Sequence, residues 1–149
     1  MFRDSSFSDR ELTTREEIQR LLRLAQRDLA QARVPGLYPD GQFVFAYNAA
    51  LQLGTAYLRL HDIRIRAAHY HLRTSQKLES ILSPEQRQFA LEFEHARRKR
   101  HSLMYDQAGV ISEAEAKAPI EMVQEFRIWL GKELAERFAG FPDDKLMER

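Results

Sequence analysis

The sequence predicts an all-α fold, an up-and-down bundle of about five helices in one domain. Apolar residues recur three and four positions apart over long stretches, as in amphipathic helices, and no segment alternates apolar and polar residues over a strand length. Short connections between such stretches favour a bundle. The 149 residues are 44% hydrophobic and 10% aromatic. This composition is typical of a globular chain with a single core and not of a disordered one.

The first two predicted helices cover residues 15–33 and 40–60. Thr14 and Glu17 have the spacing of a capping box at the start of the first helix. Apolar residues cover well over half the circumference of the second, which predicts a central and mostly buried helix. Gly54 lies in its middle, where glycine costs about 1 kcal/mol, so we expect another helix to approach closely there. The polar residues of this helix are expected to face solvent: Asn48, Gln52, Thr55 and Arg59.

Three further helices are predicted over residues 66–82, 83–108 and 112–138. Ser83–Gln86 offers a cap, a proline at the first helical position and an acid in the first turn, and Ser112–Glu115 starts the last helix in a similar way. The helical domain then spans residues 13–139. The ends, residues 1–12 and 140–149, are expected to be flexible.

Composition excludes several classes of function. The chain carries 23 Lys and Arg against 22 Asp and Glu, a net charge of +1. Nucleic-acid binding would therefore need a local patch. There is no cysteine, which excludes disulfides, thiol catalysis and thiolate metal sites. Glycine-rich phosphate loops and nucleophile elbows are absent. With no signal core and no apolar run of about 18 residues, we expect a cytoplasmic protein that makes no use of a membrane.

The most informative stretch is Arg97–Tyr105, which brings together four cations, a histidine and a tyrosine on the fourth predicted helix. Arg100 points where the apolar residues point, and a guanidinium is costly to bury without partners. We therefore expect it to be paired inside the fold or placed at an interface cleft. Arg97, His101 and Tyr105 line a neighbouring face. The apolar stripe that Arg100 shares contains Phe89, Phe93, Ala96, Leu103 and Met104.

Two interpretations of this stretch are open. It is either a solvated basic face whose Arg100 pairs with a core acid, or a surface that contacts phosphate. Arginine suits phosphate because its fork donates bidentately and stays charged. His101 could act as an acid or base near neutral pH, and Tyr105 could stack on a base or donate a hydrogen bond. Arg97 and Arg98 would add phosphate contacts.

Histidines and arginines elsewhere are weaker candidates. Arg64 and Arg66 lie in the turn after the second helix, where they either interact with the helix end or extend the basic, RNA-binding surface. His69 and His71 are two residues apart, so they face opposite sides of a helix and cannot form a metal pair there. His71 falls among apolar neighbours and is expected to be a hydrogen-bonded core histidine. We expect no metal and no cofactor.

Three stretches resemble the HEPN domain, a small α-helical bundle found in bacterial toxins and defence proteins. They are Ala46–Gly54, His61–His71 and Arg97–Asp106, and the resemblance covers about residues 14–138. Active members are homodimers in which arginine–histidine pairs meet in a cleft and cut RNA without metal. The arginine of that motif corresponds to Arg100. The histidine would fall at position 105, which is Tyr105 here.

The resemblance implies a HEPN-like homodimer that binds RNA or nucleotides, with little or no catalysis, in a bacterial toxin–antitoxin or defence system. A small nucleotidyltransferase antitoxin is the partner that it suggests. One alternative is a metal-independent ribonuclease toxin with Arg100, His101 and Tyr105 as catalytic residues. Another is a structural protein-interaction module without nucleic acid, which would be favoured if acidic residues capped the basic face within the monomer.

Overall fold

The computed structural model describes residues 8–66, 68–105 and 111–141. These residues form an all-α bundle with one short two-stranded sheet, which confirms the predicted fold class. No helix within these ranges is long and apolar enough to cross a membrane. The five helices are α1 (Arg15–Ala32), α2 (Pro39–Leu60), α3 (Tyr70–Ile81), α4 (Arg87–Tyr105) and α5 (Glu113–Arg137). The strands are β1 (Ser8–Arg10) and β2 (Ile63–Ile65).

Two helix starts follow the expected capping chemistry. The Thr14 hydroxyl accepts a hydrogen bond from the Glu17 backbone N–H at 3.1 Å. Ser112 and Glu115 form a reciprocal capping box, with 3.1 Å between side chain and backbone in both directions. These bonds satisfy N–H groups that have no partner inside the helix, so they fix where α1 and α5 begin.

Helix α2 is the centre of the bundle, as predicted. It contacts each of the other four helices, and its small residues, Ala46, Ala49 and Ala50, are fully buried. At Gly54 the space is tight, since a Cβ atom there would lie 2.8 Å from Cδ1 of Leu78 in α3. The glycine therefore makes room for α3.

Helix α3 contacts α2 at several points. The Tyr47 hydroxyl meets Nδ1 of His71, the Thr55 hydroxyl meets the Tyr70 hydroxyl at 2.8 Å, and Gly54 faces Leu78. The strand β2 forms the first part of the connection between the two helices.

The small sheet is the main difference from the predicted secondary structure. β1 pairs antiparallel with β2, with Asp9 opposite Arg64, and the helix expected from residue 66 begins only at Tyr70. Residues 63–65 alternate isoleucine and arginine as a half-buried strand does, but three residues are too short a run for this pattern to be distinctive.

The chain ends are more closely held than expected as far as the structure describes them. Residues 8–12, assigned to a flexible end, include β1 and backbone acceptors for Arg59. Phe141 is 2% exposed and lies under the guanidinium of Arg15, 5.2 Å from its ring centroid. Residues 1–7 and 142–149, also expected to be flexible, lie outside the described residues.

Arg59 is buried, and its predicted position on a solvated face of α2 is wrong. It is 1% exposed. Its Nε donates to Oε1 of Glu17 at 2.8 Å, and its two Nη atoms donate to the backbone carbonyls of Glu11 at 2.8 Å and Leu12 at 3.1 Å. Burial is tolerated because a carboxylate and two carbonyls replace the water that the guanidinium loses.

Replacing Arg59 by alanine should lower the free energy of unfolding by about 3–5 kcal/mol, because Glu17 and two carbonyls would lose a buried cationic donor. Urea unfolding monitored by circular dichroism measures the change. Arg20→Ala, at an exposed position of α1, is the matched control and should shift stability by less than about 0.5 kcal/mol. Equal midpoints for Arg59→Ala and wild type would contradict a stabilising role for this contact.

Candidate functional site

The basic residues of α4 divide between two sides of the helix. Lys99 turns toward α5, where its Nζ lies 2.8 Å from Oε2 of Glu115. Arg97 and Arg98 turn toward α3 and share Glu94. The consecutive cations of the sequence therefore do not form one continuous basic face.

Glu94 holds the two arginines on the α3 side. Its carboxylate accepts from Nε and Nη2 of Arg97 at 2.7 and 2.9 Å, and from Nε of Arg98 at 2.7 Å. It also accepts from the Ser75 hydroxyl of α3 at 2.8 Å. Arg97 is the main reason that the pKa of Glu94 falls to about 2, since hydrogen bonds to the charged form favour ionisation. Glu94 is therefore a carboxylate at neutral pH.

Arg100 contacts an aromatic ring instead of the core acid that the sequence suggested. Its guanidinium carbon lies 5.5 Å from the ring centroid of Tyr47 in α2, within the range of a cation–π contact. Its Nε is buried and has no hydrogen-bond partner in the described part of the chain. A buried N–H left in this state is costly, so this atom is a candidate donor for a ligand.

Tyr47 also forms a hydrogen bond with His71 of α3. The Tyr47 hydroxyl lies 2.8 Å from Nδ1 of His71, and their rings stack with centroids 5.6 Å apart. Burial raises the pKa of Tyr47 above its ordinary value of 10, so the hydroxyl keeps its proton. Burial, followed by the charges of Arg100 and Arg97, lowers the pKa of His71. The imidazole is therefore neutral at pH 7, and the expected hydrogen-bonded histidine is confirmed.

These side chains from three helices form one connected group with an excess of positive charge. The group contains three guanidiniums and one carboxylate, of which two guanidiniums pair with that carboxylate, while the tyrosine, serine and histidine are neutral. Arg98 is the outermost member, with 76% of its side chain exposed, whereas Tyr47 is fully buried. We call this group the α4 polar cluster: Tyr47, His71, Ser75, Glu94, Arg97, Arg98 and Arg100.

Arg64 and Arg66, expected to extend the basic surface, lie in a different ion-pair network. Arg64 bonds to Glu11 and, at 2.6 Å, to Glu17. Arg66 bonds to Asp9 and, at 2.7 Å, to Glu11. With Arg59 this network matches three cations with three carboxylates. It sits at the C-terminal end of α2, about 18 Å along the helix axis from Tyr47, so the structure does not bring it to the α4 polar cluster.

Two further predicted site residues, His101 and Tyr105, belong to the same helix, α4. His101 is exposed on α4. The side chain of Tyr105 lies outside the described part of the structure. Within the described ranges, no three His, Asp or Glu side chains gather as metal ligands would.

The sequence alone could predict one contact of the cluster but not another. Glu94 lies three and four residues before Arg97 and Arg98, and this spacing alone predicts ion pairs on a helix. Tyr47 lies more than fifty positions before Arg100, and its contact depends on how α2 and α4 pack. No local pattern indicates that contact.

Comparison with protein-family models, with curated proteins and with solved structures finds no match to this chain. The resemblance to the HEPN domain therefore stays a prediction from the sequence. The same holds for the homodimer cleft that it implies.

The pKa of His71 should be measurably below 6.5 in the native protein, and replacing Arg100 by glutamine should raise it by removing a nearby positive charge. An NMR titration of the imidazole measures both. Since the pKa is lowered by folding, His71 stabilises the fold least at acid pH: stability falls as pH drops from 6.5 toward the native pKa.

Arg87→Gln is the control for this titration, because it removes the same charge at the far end of α4. It should leave the pKa of His71 unchanged. A wild-type pKa above 6.5, or equal values in wild type and Arg100→Gln, would contradict the arrangement of this cluster.

Proposed function

We propose that this protein binds the phosphate groups of single-stranded RNA through the α4 polar cluster and does not cleave the RNA. The observation that carries the proposal is the buried Nε of Arg100, which lacks a hydrogen-bond partner in the described residues. In the same cluster, two further arginines, Arg97 and Arg98, share the single carboxylate of Glu94. An anion entering here would meet uncompensated positive charge and a donor already removed from water.

Glu94 prepares the outer arginines for this role. It engages Nε and Nη2 of Arg97 but only Nε of Arg98, so the outward end of Arg98 can donate to a phosphate while the carboxylate fixes its stem. Less side-chain entropy is then lost on binding. Because Glu94 is itself negative, it also weakens anion binding. The cluster is therefore a moderate phosphate site whose affinity depends on one acid.

The candidate acid–base groups do not favour cleavage of RNA. Tyr105 stands where the resemblance places a histidine, and a phenol with an ordinary pKa near 10 is a poor base at pH 7. The Nδ1 atom of His71 is hydrogen-bonded to the Tyr47 hydroxyl and is not open to a substrate. His101 is the remaining candidate, and we expect His101→Ala to abolish any cleavage that is observed.

RNA affinity should change in opposite directions with two charge-neutralising substitutions. Arg100→Gln should weaken binding of a fluorescently labelled single-stranded RNA about tenfold by removing a buried donor. Glu94→Gln should tighten binding by removing the competing carboxylate. Fluorescence anisotropy measures both, and wild-type affinity should fall steeply with salt because phosphate neutralisation releases counterions.

Lys99→Gln and Glu92→Gln are the matched controls, since they make the same charge changes on α4 away from the cluster. Both should bind RNA as wild type does. Circular dichroism must show that each variant is folded. A folded Arg100→Gln protein with wild-type affinity would contradict the proposed site.

The capping of Arg97 and Arg98 by Glu94 favours a second candidate, a protein-interaction module without nucleic acid. In that case these arginines serve only to tie α3 to α4. Glu94→Gln would then lower stability without creating tighter RNA binding. The same variant therefore separates the two functions.

The proposed dimer is a separate prediction. If two α4 helices meet across a two-fold axis, both copies of Arg100 approach one cleft. Sedimentation equilibrium at micromolar concentration should then give about 35 kDa, twice the 17.5 kDa of one chain. A stable monomer would contradict the dimer and would leave a single cluster as the binding site.

A further inference from the structure

A groove of about 680 Å³ lies between α4 and α5, on the side of α4 that Lys99 faces. Its lining on α4 runs from Gln88 to Lys99, and its lining on α5 runs from Ala114 to Glu125. The floor is apolar and includes Phe43 from α2. Leu91, one of the few large apolar side chains exposed within the described ranges, is 49% exposed at its edge.

The dimensions of the groove suit a helix. Each wall extends over eleven residue steps, or about 16 Å of helix axis. The Lys99–Glu115 ion pair marks one end, and Gln88 and Glu125 mark the other. An additional helix of about three turns would fit along this length, with apolar side chains at every third or fourth position against the floor.

The groove carries an excess of negative charge. Glu92, Glu121 and Glu125 line it, and none of them forms an ion pair within the described residues. Lys99 and Glu115 cancel each other. Three carboxylates therefore remain without a cation around an apolar floor, which disfavours nucleic acid and favours a cationic occupant.

We propose that this groove binds a basic amphipathic α-helix of a partner protein. Apolar side chains of that helix cover Leu91 and the floor, while its Lys and Arg side chains pair with Glu121 and Glu125 at the rim. This is the helix-in-groove mode of recognition, in which apolar contact supplies affinity and charge supplies selectivity. The proposal does not depend on the α4 polar cluster.

The test uses a synthetic 14-residue helical peptide with leucine at positions 1, 4, 8 and 11 and lysine at the flanking positions. A second peptide with each lysine replaced by glutamate is the control ligand. Calorimetry measures affinity, and chemical-shift changes in a ¹⁵N-labelled protein locate the contact. The basic peptide should bind and shift resonances of α4 and α5 around the groove, and the acidic peptide should not.

Two pairs of protein variants complete the test. Glu121→Lys with Glu125→Lys should weaken the basic peptide at least tenfold, whereas Glu16→Lys with Glu136→Lys, the same charge change at exposed positions elsewhere, should not. Leu91→Ala should weaken it several-fold, and Val34→Ala, at another exposed apolar position, should have no effect.

Three results would overturn the proposal. One is an equal loss of affinity in both charge-reversed proteins, which would indicate general attraction only. Another is a set of shifted resonances outside the groove. The third is a wild-type dimer whose groove resonances change on dilution and which Glu121→Lys with Glu125→Lys converts to monomer, because the occupant would then be a second copy of this chain.

Discussion

The buried guanidinium of Arg59 is the constraint on which the rest of the arrangement depends. It ties the end of α2 to Glu17 of α1 and to the backbone of residues 11 and 12. Arg64 of β2 binds the same two acids, Glu11 and Glu17. The connection after α2 is thereby held at its first residues.

The starts of α1 and α5 could be predicted from sequence because their causes are local. Thr14 and Ser112 cap with residues three positions away, and the apolar repeat of each helix is visible within two turns. The burial of Arg59 could not be predicted, because its acceptors lie 42 to 48 residues away in sequence. A helical repeat assigns an arginine to solvent unless a distant acid is known to face it. The short sheet has the same cause, since β1 exists only by pairing with β2.

Part of the candidate site could also be predicted, because that part depends on local helical spacing. The placement of Arg100 in an apolar stripe follows from helical spacing, and the structure places its guanidinium over the buried ring of Tyr47. The identity of that partner is a property of packing. Acids were expected to decide between a phosphate site and a capped face. Glu94 pairs with two of the three arginines, so the group keeps a net positive charge. The resemblance-based roles of His101 and Tyr105 stay predictions.

Helix α4 separates two surfaces of opposite charge, and this separation follows from the helical spacing of its side chains. Arg97 and Arg98 face α3, whereas Lys99, between Arg98 and Arg100 in sequence, turns to Glu115 of α5. A helix with its side chains is about 10 Å across, close to the screening length at 0.1 M salt. Charges on one side are therefore largely screened from ligands on the other. The two ligands that we propose, an anion at the α4 polar cluster and a cationic helix in the groove, would therefore contact different faces of this helix.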